Sequence, residues 1–117
     1  MHFQAEPKSE IKLIRCSAGA IYDVLLDVRR ESQSFGKWEA FELTAANRRM
    51  LYVPGGIAHG VQCLTDNCEV FYHMSDFYYP ELARGVRWND SKVGIRWPIG
   101  DPLLSERDKR LPTLAEL

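Results

Sequence analysis

Three histidines, His2, His59 and His73, are all the imidazole this sequence has. Imidazole is the side chain best matched to proton transfer near neutral pH. His2 stands in HFQ (2–4), His59 in YVPGGIAHG (52–60) and His73 in EVFYHM (69–74). A three-histidine metal centre would require all three to converge, and no His-x-His pair supports it. Other chemistry-bearing residues lie in apolar surroundings. Lys12 alternates with Ile14 and Cys16, a costly place for an ammonium unless it has a partner or a task, or snorkels at an edge. Tyr72 shares a strand face with Val70 and Met74, where its hydroxyl is either satisfied in a core or free to act.

These residues sit on short β-type runs. IKLIRC (11–16), IYDVLLDV (21–28), KWEAFELT (37–44), RRMLYVP (48–54), VQCL (61–64) and CEVFYHMS (68–75) recur about every ten residues, with no long amphipathic helix between them. That rhythm predicts an all-β antiparallel sandwich or barrel. Alternation puts Lys12, Ile14 and Cys16 on one face, opposite Leu13 and Arg15. The same rule turns Tyr72 and His73 in opposite directions, so only one of them can face an interior. His59 follows a Pro-Gly-Gly turn and reads either as a rim residue or as a ligand contact.

Beyond Pro80 the chain is rich in Gly, Pro, Asn and Asp and reads as loops with one or two short strands. Near the end, Ser105 can cap one helical turn with Asp108 at its third position, holding Arg107 and Asp108 against the body of the domain. The aromatic run DFYYP (76–80), with Trp88 and Trp97, forms either a stacking wall for a ring-shaped ligand or the packing of a lid. The 117 residues fit a single domain, with strands and loops over 1–98 and a C-terminal extension over 99–117.

Composition excludes several classes of function. A net charge of −1 gives no basic excess for a nucleic-acid backbone. No apolar run approaches the roughly 18 residues that span a bilayer. Cys16, Cys63 and Cys68 form neither a CxxC pair nor an even disulfide set, so they read as reduced thiols in a cytoplasmic protein.

Taken in order, HFQ (2–4), KLIRC (12–16), YDVLLDVRRESQSFGKW (22–38), TAANRRMLYVPGGIAHG (44–60), EVFYHMSDFYYP (69–80), RGVRWND (84–90) and VGIRWP (93–98) resemble the dTDP-4-dehydrorhamnose 3,5-epimerase family. The likeness implies a cupin-like jelly-roll barrel, a homodimer, no cofactor and no metal. The implied reaction removes a proton beside the ketone of a nucleotide-linked 4-keto-6-deoxyhexose and returns one to the other face, at C3, C5 or both. It also implies roles: His2 as the base, Asp108 orienting it, Lys12 at the enolate oxygen and Tyr72 as the acid. His59 would contact the sugar and Arg107 the nucleotide.

Two departures accompany the likeness. Family members carry a further segment before the His-Phe-Gln motif, with strands, dimer contacts and a phosphate-binding arginine, whereas this sequence begins one residue before the motif. The expectation is a chain started at an internal methionine. The glutamate of the family's Glu-Arg-Gly motif is here Ala83, with Glu81 two residues earlier. A truncated or degenerate cupin that binds a sugar nucleotide without catalysis, or serves as a structural subunit, is the alternative reading.

Overall fold

The computed structural model describes residues 1–117. Eight strands form two sheets: β1 (His2–Gln4), β2 (Lys12–Ala18), β3 (Ala20–Asp27), β4 (Trp38–Thr44), β5 (Met50–Val53), β6 (Ile57–Cys63), β7 (Glu69–Met74) and β8 (Ala83–Gly85). The order is β4-β3-β6-β1-β8 in one sheet and β5-β2-β7 in the other, and every pairing is antiparallel. Ile14, Cys16 and Val53 of the smaller sheet meet Ile21 and Leu43 of the larger in a buried cluster. Burial of side chains of this size supplies roughly 1.5–3 kcal/mol each.

Strand β3 is covered on both sides, which accounts for its nearly continuous apolar sequence. Its Ile21 points between the sheets, while Val24 and Leu26 point outward into a second cluster with Ala58, Val86, Val93 and Leu114. The irregular segment after β8 therefore forms a third layer. Two indole N–H groups hold it in place, Trp38 donating to the Val93 carbonyl at 3.1 Å and Trp97 to that of Trp88 at 2.8 Å. Asp90 accepts from the Leu114 amide at 2.8 Å. Helix α1 (Glu106–Lys109) forms where the capping spacing predicts it, with Ser105 Oγ accepting from the Asp108 amide at 3.1 Å.

One strand boundary needs correction. IAHG (57–60), outside the strand runs expected from the sequence, is the first half of β6, because Gly56 at φ 76° completes the reversal before Ile57. The N-terminus, a place where chains usually fray, is buried. Met1 is 5% exposed and lies between Gly60 and Gly85, where an added Cβ would come 2.5 Å from Met1 Sδ and 2.6 Å from its carbonyl oxygen, respectively. Absent side chains at two strand positions thus make room for β1.

The polar segment RRESQS is anchored by one carboxylate. Asp27 accepts from the Arg29 amide and Nε at 2.9 and 3.0 Å, from Arg29 Nη2 at 2.7 Å, and from the Ser32 and Ser34 hydroxyls at 2.7 Å each. The Arg29 guanidinium, helped by the hydroxyls and resisted by burial, holds this carboxyl far below its usual range. A depressed carboxylate contributes stability above its unfolded pKa and loses it as pH falls. Asp27→Asn is expected to cost about 1.5–3 kcal/mol at pH 7. In urea unfolding, its gap from the unsubstituted chain should narrow below about pH 4.

Candidate active site

β1 runs between β6 and β8 and pairs His2 with both His59 and Gly85. The two histidines are direct cross-strand neighbours, so both side chains leave the sheet on one face. His2 Nε2 lies 2.5 Å from Asp108 Oδ1, and the Ser105 hydroxyl donates to Asp108 Oδ2 at 2.8 Å. A carboxylate only accepts, so Nε2 carries the proton and Nδ1 is the ring's basic nitrogen. Burial and the neighbouring N-terminal ammonium lower the His2 pKa, and Asp108 works in the opposite direction. Burial raises Asp108, but the hydrogen bonds from Ser105 and His2 outweigh it and leave the carboxyl below its ordinary value.

The facing sheet supplies Lys12 and Tyr72. The β2–β7 register pairs Lys12 with Met74, Ile14 with Tyr72 and Cys16 with Val70, so alternation places these side chains as the sequence predicts. On the opposite face Phe71 and His73 stack edge-on at 4.9 Å, with the Arg15 guanidinium 5.7 Å from the Phe71 ring centre. His73 therefore lies on the face opposite Lys12 and Tyr72. Lys12 is 7% exposed, and its ammonium meets Glu10 Oε1 at 3.1 Å. Breaking such a buried pair costs several kcal/mol, because it leaves the remaining charge uncompensated.

Asp23 and Gln4, like Glu10, carry no motif that marks them as site residues in sequence, and they also shape the site. Asp23 on β3 is fully buried, and His59 Nε2 lies 2.9 Å from its Oδ1 and 3.0 Å from its Oδ2. The ring N–H is directed at Oδ2, which fixes the orientation of His59. Gln4, 3% exposed, donates to the Lys8 and Phe77 carbonyls at 2.6 and 3.1 Å and accepts from the Tyr79 amide at 2.9 Å. It clamps the aromatic loop against β1. The only signals for either residue were its parity, Gln4 two positions from His2 and Asp23 two from Ile21.

His2, Lys12, His59, Tyr72, Arg107 and Asp108 line one cavity of about 420 Å³, as do Glu10 and Tyr78. The aromatic cluster divides. Tyr78 faces this cavity, whereas Trp97 packs edge-on against Tyr22 and lines an adjoining apolar groove with Trp88.

Antiparallel sheets stacked with polar groups turned inward between them make this a jelly roll of the cupin type. Within that class the chain belongs to the dTDP-4-dehydrorhamnose 3,5-epimerase family, whose model matches residues 1–116. It is 44% identical over 118 residues to the dTDP-4-dehydrorhamnose 3,5-epimerase of Escherichia coli, a match covering 100% of this chain and 64% of that protein. The Bacillus anthracis enzyme of the same name, solved with TDP and pyrophosphate bound, superposes with a TM-score of 0.94 at 43% identity, over 96% of this chain and 64% of that one. A Legionella pneumophila dTDP-6-deoxy-D-glucose-3,5-epimerase in complex with dTDP-4-keto-L-rhamnose gives a TM-score of 0.92 at 31% identity, over 97% and 61%. This chain thus spans a little under two thirds of the length of these relatives.

The lowered His2 pKa keeps the ring in its basic form to more acidic pH than an ordinary histidine near 6.5. Asp108→Asn removes two interactions that raise it, so the His2 titration midpoint should move further down. Proton NMR of the imidazole C–H signals across pH 4 to 8 measures this. An upward or absent shift would contradict the assigned contact.

Proposed function

We propose that this chain is an epimerase that moves protons beside the ketone of a nucleotide-linked 4-keto-6-deoxyhexose. The observation that carries the reading is the opposition of two sets of groups across one cavity: the Asp108-oriented His2 on one sheet, Lys12 and Tyr72 on the other. A carbon between these sets has a base on one side and an acid on the other, which is the requirement for inverting it. His2 Nδ1 removes the proton made acidic by the adjacent ketone. The Lys12 ammonium stabilises the oxygen as the enolate forms, and Tyr72 returns a proton to the opposite face. His59, fixed by Asp23, contacts the sugar, and Arg107 approaches the nucleotide. No cofactor enters these steps, because the ketone supplies the acidity.

The relatives' names and bound ligands support the substrate class. We also infer a homodimer in the cytoplasm. The outer face of the β5-β2-β7 sheet leaves Met50, Tyr52 and Phe71 46%, 64% and 49% exposed, a surface of the kind that self-association covers.

Incubation with dTDP-4-keto-6-deoxyglucose in deuterated water should place deuterium at C3, C5 or both. His2→Ala is expected to lower the exchange rate by about 10²–10⁴-fold, and Tyr72→Phe to lower the rate of inversion by about 10²-fold or more. Absence of exchange in the unsubstituted chain, with a saturable nucleotide-induced thermal shift, would indicate a binding module instead.

A further inference from the structure

We infer that Glu10 is a substrate-binding residue whose free carboxylate oxygen accepts the hydroxyl next to the carbonyl held by Lys12. The inference rests on the keto-sugar reading above and adds to it the group that recognises the substrate's neighbouring oxygen. Glu10 lies in the connection between β1 and β2, two residues before Lys12, and its side chain is only 8% exposed. Oε1 is engaged by the Lys12 ammonium at 3.1 Å. Oε2 is buried and receives no hydrogen bond from any protein donor. A carboxylate oxygen out of contact with water and without a donor is rare in a folded interior. The Glu10 side chain borders the same cavity as His2, His59 and Tyr72.

The pairing of charges defines what fits. An ammonium only donates and an ionised carboxylate only accepts. Set side by side, they match a ligand that presents an acceptor and a donor on adjacent atoms. A carbonyl flanked by a hydroxyl-bearing carbon is such a group, and a 4-keto hexose with a hydroxyl at C3 contains it. Lys12 takes the C4 carbonyl oxygen, and Glu10 Oε2 takes the proton of the C3 hydroxyl. Glu10 has a second effect through Oε1, since it holds the Lys12 ammonium at the carbonyl side of the cavity. The residue is thus a specificity determinant for oxygenation at C3.

The test compares the affinities of dTDP-4-keto-6-deoxyglucose and its 3-deoxy counterpart by calorimetry, in a His2→Ala background that prevents turnover. With Glu10 in place, the hydroxylated sugar should bind at least about tenfold more tightly, the scale of a hydrogen bond to a charged group. Glu10→Gln should collapse that ratio toward one, whatever it does to both sugars through Lys12. Glu10→Asp, which retains the charge, should keep part of it and serves should the glutamine variant fail to fold. Equal affinities for the two sugars, or a ratio that survives Glu10→Gln, would overturn the inference. A normal deuterium exchange with no such ratio would reject the role of Glu10 alone. A ratio that depends on Glu10, without exchange in the unsubstituted chain, would reject only catalysis, and binding of neither sugar would reject both.

Discussion

The Lys12–Glu10 ion pair is the interaction around which the interior is organised. An ammonium on the inner face of a strand, among isoleucine, cysteine and valine, is not tolerated without a counter-charge. Glu10 supplies one at 3.1 Å, from a connection rather than from a strand. The connection must therefore fold inward at that point, and it does so directly after the stretch tied down by Gln4, whose amide donates to the Lys8 carbonyl. One buried charge thereby fixes the path of the chain between β1 and β2. It also keeps that corner of the inter-sheet space polar instead of letting it close as core.

The same principle recurs on the facing sheet, with histidine as the charged or polar partner. His2 is oriented by Asp108 and His59 by Asp23, and each carboxylate comes from a different element from its histidine. Asp108 arrives on a four-residue helix almost at the end of the chain, 106 residues from its partner. So short a helix is not stable alone. Its cap at Ser105 and the packing of Leu114 into the outer cluster hold it in place, which gives the irregular C-terminal layer a structural role in the site.

What the sequence makes legible follows from how local each feature is. The parity of β2 and β7 is fixed by a period of two, and it correctly separates Tyr72 from His73 and sets Lys12 beside Ile14 and Cys16. The Ser105 cap is legible because its signal lies within four residues. β1 and β8 are three residues each, too short to carry a pattern, and both are stabilised by partners distant in sequence. The start of β6 at Ile57 is masked by the flanking Gly55, Gly56 and Gly60, although Gly60 is small there to admit Met1 rather than to bend the chain. Asp23 and Glu10 were missed for a different reason. Each is an ordinary acidic residue in sequence: Asp23 is marked only by burial beside His59, 36 residues away, and Glu10 only by the inward fold of a connection that no local pattern dictates.

That difference bears on how a chain with so few strands can present an organised site. Each sheet contributes what the other lacks: the β6–β1 pair carries the basic nitrogen, and the β2–β7 pair carries the ammonium and the phenol. Neither set could invert a carbon alone, since the opposite face of the reacting atom would have no proton donor or no acceptor. The spacing between stacked sheets, about 10 Å, accommodates a sugar ring lying between them. A two-sheet fold thus turns the alternation of side chains along each strand into groups facing one another across a cavity. In the proposed reaction, stereochemical inversion follows from the stacking of the sheets as much as from any single residue.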